Sequence, residues 1–395
     1  MTDAITTPIG WHEEWNDPLM DVVRPAIREA IEAAIEDELR RQLGAQRYAR
    51  VADRIGYRNG HRDRVLGTAA GAITVTVPRA RVGDEEWRSV QLPRYHRRLH
   101  GVDQALLGIY LSGTNQRKVA AAVRPLLHGL GLSKSTISRL ATQLRSARDA
   151  WEQRSLAEDR IAYLFLDGFV VPVRRDGRVV RHPLLLAVGV RETGDMVLLA
   201  LRLAAGETTL AWRALLEQLV ARGLAAPQVC ILDGSAGLRT ALEHVWPGVA
   251  VQRCTVHKLQ NLLAHAPESA HADVRKDFHR IVYASSAADA QRQYQQVLRR
   301  WRIRCAAVAR SLEEGGPELL TFLRYPALQW KSLRSTNVIE RIHGELRRRI
   351  KTQGAWADED AIVTLLFGLF VAGLVRLRRI DGWQTIKAAS QPTAA

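Results

Sequence analysis

The stretch "IAYLFLDGFVVPVRRDGRVVRHPLLLAVGVRETGDMVLLALRL", Ile161 to Leu203, decides the fold. It holds three apolar runs, "IAYLFLDGFVV", "VVRHPLLLAVGV" and "DMVLLALRL", each of strand character. The turn signals Arg175-Asp176-Gly177 and Glu192-Thr193-Gly194 separate them. Short polar connections between apolar runs predict hairpins, and therefore three consecutive strands in one sheet.

Downstream the period changes. A helical "ETTLAWRALLEQLVARG" precedes a buried strand in "QVCILDG", then comes the helix "AGLRTALEHVW" and a last strand in "VAVQRC". Three hairpin-linked strands followed by helix, strand, helix and strand predict an α/β core: a mixed five-stranded sheet covered by helices, in ribonuclease-H-like order. In that order the first and fourth strands are neighbours.

That neighbourhood matters because Asp167 in "LFLDG" and Asp233 in "CILDG" each follow an apolar run and precede a glycine, Gly168 or Gly234. Each carboxylate is expected to emerge at a strand end, where glycine leaves room for a ligand. Two carboxylates at close range repel, and a divalent cation relieves the repulsion. The competing reading is that each Asp simply caps the turn or helix after it.

A third acid would complete a site for two cations and in-line phosphoryl displacement. The stretch "LRSTNVIERIHGELRRRIKTQGAW", Leu333 to Trp356, offers Glu340 and Glu345 on a helix capped by Ser335 or Thr336. Its apolar stripe is Ile339, Ile342, Leu346 and Ile350. Glu345 has Arg341 four residues before it and Arg349 four after, which predicts a surface ion pair. Glu340 has no cation at those spacings and shares its side with His343 and Arg347. At about 100° per residue the two glutamates lie roughly 140° apart, so Glu340 is the freer acid for a metal.

The remaining chain sets the class. With 57 Lys+Arg against 41 Asp+Glu, the net charge of +16 favours a polyanionic partner, nucleic acid first. Three scattered cysteines, Cys230, Cys254 and Cys305, exclude a disulfide framework and fit a cytoplasmic protein. The opening "MTDAITTPIGWHEEW" lacks the pattern of a secretory signal. The uncharged run Ala361 to Val375 is shorter than the roughly 20 residues of a membrane span and predicts a buried helix.

Six segments are expected. Residues 1–50 carry an amphipathic helix with Ile27, Ile31, Ala34, Ile35 and Leu39 at helical spacing, suited to packing on its own chain or on a second copy. Residues 51–100 are a small basic segment with a short strand around Ile73, Val75 and Val77, a turn at Asn59-Gly60 before it and Pro78 at its end. Residues 101–155 have the outline of a helix-turn-helix with a break at Gly129 and Gly131 and a cap at Ser133. Its second helix would offer Lys134, Ser135, Thr136, Ser138 and Arg139 to a DNA groove. Residues 156–255 are the first part of the core, 256–334 a helical insertion, and 335–395 the second part, with the Glu340 helix and a C-terminal helix.

These motifs together resemble the Mutator-type transposases of bacterial insertion sequences, a DDE family. The resemblance is carried by "YRNGHRDR" with "TVTVPRAR", by "LDG" and "ILDG", by the Cys-x-x-His element in "RCTVHKLQN", and by "STNVIERIHGELRRRIKTQGAW". It implies Asp167, Asp233 and Glu340 as a catalytic triad binding two Mg2+ or Mn2+ ions, with Asn337, Arg341 and Arg347 as polar positions around the glutamate. It also implies double-stranded DNA, terminal inverted repeats and target, as partner, cut and then joined by 3′ hydroxyl attack. A dimer or larger assembly on DNA is expected, with no membrane partner. Cys254 and His257 match the family's element, but two ligands fall short of a structural zinc site, and only His265 and Cys305 are further candidates. Two other readings stay open: a DNA-binding regulator with a non-catalytic core, and a metal-dependent nuclease without strand transfer.

Overall fold

The structure is a computed structural model that describes residues 18–49, 51–52, 54–112, 119, 134–175, 178–351 and 359–386. The chain divides into two compact units, one formed by Met1–Tyr110 with Thr114–Ala141, the other by Leu111–Gly113 with Thr142–Ala395.

In the first unit, α1 (Pro18–Leu43) lies on a three-stranded sheet of order β1-β2-β3: β1 (Gly56–Thr68), β2 (Gly71–Val82) and β3 (Glu85–Glu86). Strand alternation turns Ile73, Val75 and Val77 to one face, where Ile35 is buried with them and Ile27 and Ile31 pack alongside. The apolar stripe of α1 is therefore covered within its own chain. Glu38, at the edge of that stripe, accepts from Ser89 Oγ (2.6 Å) and the Val90 amide (2.6 Å).

Asn59-Gly60 is no turn before a strand but a bulge inside β1, where the register shifts between Arg58 and His61 and Gly60 takes φ +74°. Pro78 does not end β2; it stands opposite His61 at that irregularity, where a missing N–H is tolerated. The helix α2 (His100–Leu111) follows, and α3 (Lys134–Gln153) begins at Lys134. The expected turn at Gly129 and Gly131 and the cap at Ser133 lie outside the described residues.

The second unit holds a five-stranded sheet of order β6-β5-β4-β7-β8. Its strands are β4 (Ile161–Arg175), β5 (Arg178–Arg191), β6 (Met196–Leu203), β7 (Val229–Leu232) and β8 (Ala250–Arg253). The first three pair antiparallel and the last two join parallel, so the sheet is mixed, with first and fourth strands adjacent as the order of runs predicts. The second hairpin turn is formed by Gly194 at φ +84°; the first, at Asp176-Gly177, lies outside the described residues.

Helices α4 (Thr209–Ala221) and α5 (Ala236–Val245) cover one face, burying Trp212, Leu215, Leu238 and Leu242 on Leu164, Leu166 and Leu232. The period of two sends Tyr163, Phe165, Asp167 and Phe169 to the opposite face. There Tyr163 donates to Gln329 Oε1 (2.5 Å), and α11 (Asn337–Lys351) packs on β4. Between β8 and α11 the chain is helical: α6 (Thr255–Ala264), α7 (His271–Val282), α8 (Ala287–Arg304), α9 (Ala306–Gly315) and α10 (Trp330–Leu333), with short 3-10 turns. A separate core of Phe278, Ile281, Val297, Leu298, Trp301 and Leu312 holds α7, α8 and α9 together. The apolar run before Val375 forms α12 (Glu359–Val371), buried from Ile362 to Leu369. Among the described residues no helix is long and apolar enough to cross a membrane.

Candidate active site

Asp233 leaves the sheet directly after β7, and the parallel register that pairs Phe165 with Ile231 carries it beside Asp167. Asp167 does not end its strand. It sits inside β4, opposite Leu186, because the β4–β5 hairpin runs on beyond the short parallel strands. The point where β7 stops is what opens space next to it.

Asp167 is 5% exposed and its Oδ1 accepts from the Gly168 amide (2.9 Å). Burial first, and then the nearby Asp233, push its carboxyl up to about 7, with His257 opposing the rise. Asp233 Oδ1 accepts from the amide of Ser235, the residue that caps α5. The capping role foreseen as the alternative for Asp233 is thus real, and it engages one carboxylate oxygen only. Gly234 between them needs its glycine: φ is +101°, and a Cβ there would lie 2.1 Å from Arg253 Nη2.

The helix α11 buries Ile339, Ile342, Leu346 and Ile350, the predicted stripe. Residues 340, 343 and 347 share the adjoining face. His343 lies 3.6 Å through Nδ1 from Asp167 Oδ2 and stacks tilted on Phe169, with ring centroids 4.4 Å apart. Burial, then Arg347 and His257, push the His343 pKa down to about 3, so the ring is neutral. Arg347 lies over Phe169, 5.6 Å from the ring centroid. Glu340 is half-buried, and its Oε1 is 3.7 Å from His257 Nε2. Asp167 and Glu340 both help to raise His257, but among the described residues the ligand atoms of Asp167, Asp233 and Glu340 do not all lie within 4.8 Å of one another. Glu345 pairs with Arg348 (2.8 Å) and Arg349 (2.6 Å); Arg341 is not its partner.

The Cys-x-x-His element explains itself in three dimensions. Cys254 follows β8, is fully buried, and its Sγ accepts from both the amide and the hydroxyl of Thr336, each at 3.3 Å. Thr336 Oγ1 is also 3.4 Å from His257 Nδ1, and its carbonyl accepts the Glu340 amide (2.9 Å). Burial pushes the Cys254 thiol up, but hydrogen bonds from His257 and Thr336 outweigh it and leave it below its ordinary value. The bond with Cys254 does most to raise His257, to about 9. Ligand atoms of Cys254, His257 and Glu340 lie within 4.8 Å of one another. The ring turns Nδ1 towards Thr336 and Nε2 towards Glu340, and three donors are one short of a structural zinc site. The trio is better fitted to a hydrogen-bonded bridge than to zinc. His265 and Cys305 are outside it; Cys305 Sγ lies 3.5 Å from the His265 carbonyl oxygen.

One acid at this edge escaped the sequence reading. Glu207, in the turn after β6, leaves 3.3 Å between its Oε2 and a Cβ placed on Gly168, and burial followed by Asp233 raises its carboxyl. The available signal was topological: β6 runs parallel to β4 and β7, so the chain leaving β6 and the chain leaving β7 do so at the same edge, level with Asp167 inside β4.

The family model "Transposase, Mutator family" matches residues 12–373. The chain belongs to the Mutator family of transposases. The transposase for insertion sequence element IS406 of Burkholderia multivorans is 34% identical over 304 residues, covering 76% of this chain and 77% of that protein. The transposase for IS1081 of Mycobacterium tuberculosis is 32% identical over 325 residues, 82% of this chain and 76% of that one. Among solved structures, the Drosophila P element transposase strand transfer complex covers 72% of this chain and 82% of that chain at 9% identity and a TM-score of 0.29, too slight a likeness to bear on the fold.

In this Mutator-family chain the residues named for DNA are spread unevenly. Thr136 is 3% exposed and turned inward, while Ser138 and Arg139 are exposed; the side chains of Lys134 and Ser135 lie outside the described residues. Asn337 and Arg341 are exposed on the flank of α11 away from His343.

Proposed function

We propose that this chain is the transposase of an insertion sequence, cutting duplex DNA at terminal inverted repeats and joining the freed 3′ hydroxyl to a target. In this reading the core is ribonuclease-H-like, interrupted between β8 and α11 by the helical segment, and Asp167, Asp233 and Glu340 are the catalytic acids. The observation that carries it is the buried Asp167 beside Asp233, with a carboxyl raised to about 7 and the Glu340 helix held to the same edge.

The donor set fits a hard divalent cation, Mg2+ or Mn2+, because all three side chains offer carboxylate oxygens and two of them repel one another until a cation is present. When bound, two such ions would activate the attacking oxygen and stabilise the leaving one. The chain's own residues do the rest. The Gly168 and Ser235 amides fix one oxygen each of Asp167 and Asp233 and leave the others free. Neutral His343 stands by Asp167 without adding charge. His257 holds a proton beside Glu340, and the Thr336–Cys254 bonds fix the helix end from which Glu340 projects. Water and then a sugar hydroxyl are used as nucleophiles in two in-line attacks, so no covalent enzyme intermediate is needed.

The test is nicking and joining of a duplex carrying the terminal repeat, in Mg2+. Asp167→Asn is expected to lose both reactions by at least about 1,000-fold while still binding the DNA. Equal activity of wild type and variant would leave a DNA-binding regulator. Nicking without joining of pre-cleaved ends would leave a nuclease. Because joining brings two ends together, the product complex is expected to hold at least two chains, read from its mass in the same reaction.

A further inference from the structure

The flank of α11 away from the acids borders a cleft of about 550 Å³, whose other wall is the segment Leu374 to Asp381. Its frame is fixed: Arg349 Nη2 donates to the Leu374 carbonyl (3.3 Å), the Asp381 amide donates to Ser332 Oγ (3.0 Å), and Val375 and Ile380 are buried. The acids that line it are already engaged. Glu345 is held by Arg348 and Arg349, and Asp381 by Lys331 (3.2 Å). Arg379 is taken by Asp195 (2.7 Å) and stacks on Trp383.

Three lining guanidiniums are left over. Arg341, Arg376 and Arg378 are exposed, and no acid partners them among the described residues. Arg376 and Arg378 are exposed on one wall, in the segment anchored by the buried Val375 and Ile380, and Arg341 lines the cleft from the helix. Three like charges along an open cleft, with the lining carboxylates already paired, suit an extended polyanion better than one small ion. Arg341 follows Glu340 directly and is turned about 100° from it, so an anionic strand lying here runs along the helix that carries the third acid.

We propose that this cleft binds the phosphate backbone of duplex DNA beyond the point of cutting, through Arg341, Arg376 and Arg378. The proposal rests on the transposase reading, but its test does not use cleavage. Fluorescence anisotropy in EDTA would follow the full chain binding two labelled duplexes, one with the terminal repeat and one scrambled. For the double variant Arg376→Gln/Arg378→Gln, affinity is expected to fall by the same factor on both duplexes. The slope of log K against log salt should become shallower by about 1.8, some 0.9 for each phosphate no longer neutralised. Between 50 and 200 mM salt that amounts to about 12-fold less loss of affinity than for wild type. Arg376→Lys/Arg378→Lys should restore the slope. An unchanged slope, a loss confined to one sequence, or displacement of the duplex by millimolar inorganic phosphate would each overturn the proposal. Thermal unfolding of the variants run alongside guards against a folding defect. Since binding is read without metal, a failure here is separate from inactivity of wild type in Mg2+.

Discussion

Asp167 carries the sharpest consequence of burial. The charge of His257, a backbone amide and a neutral imidazole do not together balance the cost of taking its carboxylate out of water beside Asp233. The folded-state value of about 7 lies above the ordinary 3.8, so the stability from the protonated form is complete below pH 4 and is lost as pH rises towards 7. A carboxyl raised that far contributes about 4 kcal/mol at most. His257 acts in the same sense over a higher range: raised from 6.5 to about 9, its contribution is present below 6.5 and lost as pH rises through 9. Thermal unfolding of the metal-free protein is therefore expected to shift to lower temperature from pH 5 to pH 8. Asp167→Asn should flatten the part below pH 7, and Mg2+ or Mn2+ should raise the midpoint most at pH 8. A midpoint independent of pH in both proteins would mean that Asp167 is ionised without cost. The pairing of Asp167 with Asp233 was legible in the sequence, because strand order alone makes their strands neighbours. Glu207 and His343 were not assigned there, since their relation to Asp167 is made by packing between elements distant along the chain.

Two features fix α11 so that Glu340 lies beside His257. The apolar stripe fixes its rotation, and the stripe was readable from period alone. Its position along the axis is set by Thr336, whose amide and hydroxyl both end on Cys254 Sγ at the close of β8. The Thr255 amide adds a bond to the Arg334 carbonyl (2.9 Å). Thr336→Val keeps the shape and removes the hydroxyl; Cys254 keeps the Thr336 amide and His257, so the loss is that of one hydrogen bond, about 0.5–1.5 kcal/mol. Loosening of the Glu340 end should cost about 10- to 100-fold in the rate of end cleavage at saturating DNA, with little change in DNA affinity. Thr336→Ser should recover most of the rate. A valine variant as fast as wild type would show that Cys254 and His257 serve packing alone. The sequence displayed the Cys-x-x-His spacing but not its partner, because Thr336 lies 82 residues from Cys254 along the chain. β1 was illegible for another reason: "GYRNGHRDRVLGT" has no apolar alternation, and its Asn-Gly reads as a turn although the bulge keeps it in the strand.

Across the whole molecule the chain keeps separate hydrophobic cores. Ile35, Leu66, Ile73, Val75, Val77 and Leu92 form one in the first unit, with Leu39, Leu43 and Ala80 beside it, while the five-stranded sheet has its own around Leu164, Trp212 and Leu232. Removing residues 1–44 to probe self-association would therefore strip the cover from β2 rather than free an interface. A single truncation is the cleaner probe. Leu39 is fully buried, and Leu39→Ala should cost about 2–5 kcal/mol, through lost transfer energy and the cavity left behind. Because the side chains around it belong to the first unit, the loss should stay there. Amide hydrogen exchange is expected to speed up in α1, β1 and β2 and to stay unchanged in β4, β7 and β8. Exchange rising equally in both sheets would mean that the two cores unfold as one cooperative body, and that destabilising the N-terminal sheet reaches Asp167 as well.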